Sequence, residues 1–127
     1  ITIDRKSFKI YGIAKGSGMI HPNMGTMLAY IFIEACIEKN LLNKLIKSNT
    51  DETFNSISVD TDTSTSDTLI LFSLNKTNIN LKKNKNFKIL NKALYELMKD
   101  LSLKIIKDGE GITKLLKVYV TNAKTKK

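Results

Sequence analysis

Met27-Leu-Ala-Tyr-Ile-Phe-Ile33 is a run of seven apolar residues without a break, and how it is read decides the fold. Its propensities allow a helix, but the run is short, and the cluster Tyr30-Ile31-Phe32-Ile33 is aromatic and β-branched. Such side chains fit a pleated surface, so the run is expected to be a central strand. Directly upstream lies Lys15-Gly-Ser-Gly-Met-Ile-His-Pro-Asn-Met-Gly-Thr26, which holds the only proline and the only histidine of the chain. Gly16 and Gly18 open backbone angles closed to other residues, and Pro22 fixes its own φ, so 15–25 reads as a shaped loop. Thr26 is the hydroxyl at the seam between loop and strand.

Working outward, Ser7 to Ala14 places Phe8, Ile10, Gly12 and Ala14 on one face, as in a half-buried strand. Beyond the central run, Glu34 to Asn40 forms an exit. Leu41, Leu42, Leu45 and Ile46 fall at helical spacing on a segment ending near Asn49. Phe54 to Val59 alternates as a strand, Asp60 to Asp67 is dense in oxygen side chains, and Thr68 to Ser73 reads as a second buried strand. Asn75 to Asn86, rich in Lys and Asn, has the character of a variable surface connection. Phe87, Leu90, Leu94, Leu97, Met98, Leu101 and Ile105 repeat at three and four, the pattern of an amphipathic helix of about six turns. Asp108-Gly109 should stop it, the glycine suiting a left-handed C-cap. Leu115 to Val120 is expected to close the chain as a strand, before a polar tail from Asn122 to Lys127. The order β-β-α-β-β-α-β implies an α/β sandwich in which helices cover sheets; the pairing order is not legible.

The 127 residues make about one domain. A start at Ile1, with the first element already under way by Thr2, reads as part of a longer polypeptide. The net charge of +9 comes almost wholly from Lys, with Arg5 the only arginine. Dispersed Lys among Asn speaks for a solvated surface and against a nucleic-acid site, where Arg is favoured for its bidentate fork. One cysteine, Cys36, cannot form an internal disulfide, and no Cys/His set has metal-ligand spacing. A reducing, cytoplasmic setting and a soluble, membrane-free protein are therefore expected; the longest apolar run is far below the roughly 20 residues of a membrane span.

Thr26 has two readings. It can simply begin a strand, or its hydroxyl can attack the carbonyl of the preceding peptide, shift the chain to an ester, and be released by water as a new N-terminus. The freed α-amine then supplies the adjacent base that a weak hydroxyl nucleophile needs. Lys15 ends the first strand, where an ammonium could stay solvated or meet a carboxylate. Asp60, Asp62 and Asp67 lack the central Gly and terminal Glu of a calcium loop, so turn side chains bonding their own backbone are the expected account. Glu110, between Gly109 and Gly111, puts a carboxylate just past a helix end, an unfavourable place unless a cation meets it. His21 reads equally well as surface decoration, and is not the expected base.

Gly12-Ile-Ala-Lys-Gly-Ser-Gly-Met-Ile, Pro22-Asn-Met, Thr26-Met-Leu-Ala, Phe54-Asn-Ser-Ile-Ser-Val-Asp60, Asp62-Thr-Ser-Thr65, Asp67-Thr68 and Asp108-Gly-Glu-Gly111 with Thr113-Lys114 resemble the signature blocks of the arginine-biosynthesis ornithine acetyltransferases, bifunctional glutamate N-acetyltransferases. The likeness runs through nearly the whole chain and covers roughly the middle third of a family member. It implies a layered αββα-type sandwich (ornithine acetyltransferase / DmpA-like), of which 1–127 is a partial domain. It also implies a precursor cut between Gly25 and Thr26, so that 1–25 ends an α chain and 26–127 begins a β chain, paired as a heterotetramer. Thr26 would take acetyl from N-acetylornithine and pass it to glutamate, with Lys15, Thr26 and Glu110 binding substrate. The resemblance implies no cofactor and no metal, acetyl-CoA serving some members as donor, and it puts the oxyanion-hole residues upstream of Ile1. A related architecture carries the alternative chemistry, an N-terminal-threonine amidohydrolase or aminopeptidase. The sequence departs from the family pattern at His21 and Gly25, where alanine is usual, and at Thr61, where glycine usually separates two aspartates.

Overall fold

In the computed structural model, which describes residues 1–17, 27–59 and 66–125, the chain runs β1 (Thr2–Ile3), β2 (Lys6–Ser7), β3 (Ile10–Lys15), β4 (Leu28–Cys36), α1 (Lys39–Thr50), a 3₁₀ turn (Phe54–Ser56), β5 (Thr68–Asn78) and α2 (Asn84–Lys107). The apolar run is a strand, and it lies in the middle of a three-stranded sheet ordered β3-β4-β5. β3 pairs with β4 antiparallel and β5 pairs with it parallel. A parallel neighbour requires a crossover, which α1 and the turn after it supply.

Side chains alternate across a strand, so β4 presents two different faces. Ala29, Ile31, Ile33 and Ala35 are buried, and with Leu45 of α1 and Leu90, Leu94, Met98, Leu101 and Ile105 of α2 they form the core. The opposite face is apolar too. Tyr11, Phe32 and Phe72 share one rung across the three strands and stack, with ring centroids 5.5 Å and 5.0 Å apart. In the next rung Ile13 is 65% exposed, and no described residue layer covers this side. Helices on one sheet face and an apolar second face make the chain a partial α/β sandwich, one helix-on-sheet layer of it.

β1 and β2 form a small hairpin whose turn residues Asp4 and Arg5 have positive φ. Asn86 Nδ2 donates to Asp4 Oδ2 at 2.8 Å, which fastens the hairpin to the start of α2. The helices are joined to each other by a polar contact, Asn49 Nδ2 and Ser48 Oγ both donating to Asn91 Oδ1.

Four expectations are corrected. Phe54 to Val59 is not a strand but a 3₁₀ turn followed by irregular chain. Asn55 Nδ2 donates to Asp51 Oδ1 and Ser56 Oγ to the Asp51 carbonyl, and such local bonds compete with a sheet ladder. β5 runs on to Asn78, because Ala35 and Cys36 offer a ladder to Thr77 and Asn78 past a register shift; the surface connection shrinks accordingly, and α2 begins at Asn84. Gly109 is not the left-handed residue after α2; that conformation falls to Gly111, with φ +71°. Leu115 to Val120 forms no strand, and Tyr119 is 83% exposed. The element order along the chain therefore differs from the expected β-β-α-β-β-α-β.

One ion pair ties β4 to β5. Glu34 is held below the usual carboxylate range, first by Lys76 Nζ donating at 2.9 Å and then by the Lys9 N–H at 3.0 Å, while Glu34 in turn raises the Lys76 ammonium. A carboxylate with a depressed folded pKa contributes stability above its unfolded pKa and loses it as pH falls through the folded value. The stability difference between wild type and Glu34→Gln is therefore expected to be full near neutral pH and to vanish in acid, as read by thermal melts across that range. A difference that is flat with pH would show that the pair does not contribute through its charge.

Candidate functional site

Of the expected site residues Lys15 and Glu110 are described, and the segments that carry them lie at one end of the sheet, as the register explains. Lys15 at the end of β3 is opposite Leu28 at the start of β4, and Leu28 is opposite Thr68 at the start of β5. α2 packs on β3 and brings its last turn to the same end. Lys15 is exposed there. Gly16, with φ +96°, then turns the chain inward. Ser17 follows at 8% exposure, and its buried Oγ has no hydrogen-bond partner among the described residues.

Ser17 abuts the segment after α2. A Cβ built on Gly109 would stand 3.0 Å from Ser17 Oγ and 2.1 Å from Ile112 Cδ1, so a side chain here requires Ile112 to turn aside. Glu110 follows it, exposed in the turn that ends at Gly111. The segments carrying Lys15 and Glu110 thus touch through Ser17 and Gly109. Between the end of β3 and the last turns of α2 lies a cleft of about 330 Å³, lined in part by Lys15, Ser17, Lys104, Lys107 and Asp108; Glu110 follows on the adjoining turn, outside the lining. Lys104 and Lys107 complement the negative end of the α2 dipole, and Lys104 Nζ also pairs with Asp100 at 2.7 Å. Ammonium groups on one wall and a carboxylate on the neighbouring turn suit a small zwitterion that presents both charges.

Gly25, Thr26 and His21 lie outside the described residues, as do Asp60, Thr61 and Asp62. Asp67 is described, and its role was missed. The sequence reads it as one of several turn aspartates bonding local backbone, yet its Oδ1 accepts from the N–H of Met27, 40 residues away, at 3.0 Å. Its place immediately before a strand was the available signal; without the β4–β5 register that signal does not say which backbone it meets. Among the described residues no group of three or more His, Cys, Asp or Glu could hold a metal, and no helix is long and apolar enough to cross a membrane.

The sequence profile of the ArgJ family matches residues 1–127. The arginine biosynthesis bifunctional protein ArgJ of Ruegeria pomeroyi is 47% identical over 123 residues, covering 97% of this chain and 29% of its own length. The mitochondrial protein of the same name from Dictyostelium discoideum is 42% identical over 130 residues, covering 100% of this chain and 29% of its own length. The crystal structure of arginine biosynthesis bifunctional protein argJ from Bacillus halodurans superposes with a TM-score of 0.60 at 32% identity, covering 67% of this chain and 41% of that one. The chain therefore spans about three tenths of the curated relatives it matches. With a profile match from the first residue to the last and relatives of this similarity, the chain belongs to the ArgJ family.

Proposed function

We propose that this chain is the central part of a glutamate N-acetyltransferase of arginine biosynthesis that cleaves itself between Gly25 and Thr26 and works through an acetyl-Thr26 ester. In the first stage the Thr26 hydroxyl adds to the Gly25 carbonyl carbon, the C–N bond breaks, and the hydroxyl proton passes to the leaving amine. Water then hydrolyses the ester, leaving a Gly25 carboxylate and an N-terminal Thr26. In turnover the same oxygen takes acetyl from N-acetylornithine, ornithine leaves with the proton, and the α-amine of glutamate displaces the threonine oxygen. The freed α-amine of Thr26 serves as the local base in both halves.

The observation that carries this reading is the contact of Ser17 with Gly109, because it joins the segment of Lys15 to that of Glu110 beside one cleft. Lys15 is assigned to a substrate carboxylate and Glu110 to a substrate ammonium. The substrates, the pairing of α and β chains into a heterotetramer and a cytoplasmic setting are part of the same proposal. The chemistry needs no bound cofactor or metal, and no nucleic acid or membrane partner.

The test is full-length protein given N-acetylornithine with and without glutamate, with acetyl-CoA as a separate donor arm. Ornithine release that depends on glutamate, with N-acetylglutamate formed in equal amount, is expected. Release indifferent to glutamate would instead assign the chain to the amidohydrolase alternative.

A further inference from the structure

Met27 follows Thr26 in the chain, and its backbone is held on both sides. Its N–H donates to Asp67 Oδ1 at 3.0 Å, and its carbonyl accepts from the Thr68 N–H at 2.9 Å. Consecutive residues at the head of β5 therefore clasp the head of β4, just ahead of the first ladder pair, Leu28 with Thr68. The two bonds differ in kind. The Thr68 bond continues the parallel ladder, whereas the Asp67 bond replaces a backbone acceptor with a carboxylate, a stronger partner for an N–H.

That N–H belongs to a planar peptide unit which Met27 shares with residue 26. Rotation about the peptide bond is closed, so an anchor on the N–H constrains the direction along which the chain joins β4. A hydroxyl nucleophile is sensitive to this, since misplacement by about 1 Å costs on the order of 10² in rate. Met27 is partly buried and packs on the core, while Asp67 is exposed, so the carboxylate contributes an anchor and little packing.

We propose that Asp67 is a positioning residue for the reaction at Thr26, acting through the Met27 N–H. The inference rests on Thr26 as the nucleophile and adds a residue outside Lys15, Thr26 and Glu110. The carboxylate is not consumed in any step; its part is geometric. Two consequences follow from acting through an acceptor oxygen. Asparagine, which keeps Oδ1, should substitute far better than alanine. The loss should also fall on the chemical steps and leave substrate binding alone.

The experiment compares full-length wild type, Asp67→Ala and Asp67→Asn by intact mass against time after synthesis, and by kcat and KM for acetyl transfer in the cleaved fraction. Asp67→Ala is expected to slow appearance of the two chains and to lower kcat by about tenfold or more, the scale of one lost hydrogen bond to a charged group. KM should stay within about twofold, since no substrate contact is removed. Asp67→Asn should recover most of both rates. Thermal melts of all three check folding. Wild-type rates in Asp67→Ala overturn the assignment, as does Asp67→Asn no better than Asp67→Ala, or a loss confined to KM. Thr26→Ala run beside them separates the two ideas: if it still cleaves, the nucleophile reading fails whatever Asp67 does.

Discussion

Full-length protein carrying Thr26→Ala is expected to remain one chain and to transfer no acetyl group. In the proposed mechanism both losses have one cause, removal of the oxygen that would attack first the Gly25 carbonyl and then the acetyl carbonyl. Taking a hydroxyl nucleophile out of an enzyme with a covalent intermediate costs on the order of 10⁶ in kcat, which places residual turnover below detection. The alanine should be tolerated by the fold, because Met27 keeps its bonds to Asp67 and Thr68 and the β4 ladder begins only at Leu28. Thr26→Ser separates chemistry from shape. It keeps the oxygen but loses the methyl that restricts χ1, so the hydroxyl samples more orientations. Cleavage and turnover should both survive in it, lowered by no more than about 10². Intact mass distinguishes one chain from two, and acid-stable radiolabelled acetyl on the β chain reports the ester. An uncut but fully active Thr26→Ala protein would remove Thr26 from the mechanism.

The fold was legible where side-chain chemistry and tertiary setting agree. Met27 to Ile33 announced a strand because its aromatic and β-branched residues fit a sheet, and both sheet faces turn out apolar. The α2 stripe was legible for the complementary reason, a single buried face at helical spacing. Phe54 to Val59 misled because alternation is also met by a turn that buries Phe54 and half-buries Ile57. Leu115 to Val120 misled because strand propensity describes how a residue suits a sheet, while the ladder itself must come from a neighbour, and no described strand provides one. The boundary errors at β5 share this origin, since Lys76 and Asn78 have little strand preference and the end of the strand is ordered by pairing of Thr77 and Asn78 with β4.

The site divides in the same way. Lys15 and Glu110 could be singled out from glycine spacing and the family likeness, since loop and helix-end chemistry are local. Ser17 and Asp67 could not be. Burial of Ser17 depends on α2 arriving over β3, and the acceptor role of Asp67 depends on a parallel register that loop composition does not encode. What singles out Lys15 and Glu110 is local in sequence, and the contacts of Ser17 and Asp67 are not.

Gly12→Val should be the most damaging single change in the sheet, and it tests whether β3 and α2 position the site together. Gly12 is in the middle of β3, paired with Ile31, on the face that α2 covers. A Cβ there would stand 3.0 Å from Leu101 Cδ1, 3.2 Å from the Tyr30 carbonyl oxygen and 3.3 Å from Ile31 Cγ1. Leu101 can turn its methyl aside, but the Tyr30 carbonyl is backbone of the neighbouring strand and has little room to give. Alanine is therefore already tight, and the two further methyls of valine must force α2 away from the sheet. Overpacking of this kind costs about 1–3 kcal/mol, and in a protein longer than about 250 residues each kcal/mol lowers Tm by less than about 4 °C. The displacement has a direction. β3 ends at Lys15 and α2 leads to Glu110, so a wedge between them widens the separation of the proposed carboxylate and ammonium partners. Substrate binding should consequently suffer before chemistry: KM for N-acetylornithine rises several-fold, while cleavage at Gly25-Thr26 proceeds, because the β4–β5 clasp on Met27 is untouched. Gly12→Ala should show the same pattern at smaller amplitude. A Gly12→Val protein with unchanged Tm would mean that α2 does not press on β3 at this point. A lowered Tm with unchanged KM would mean that the two elements do not set the spacing of Lys15 and Glu110.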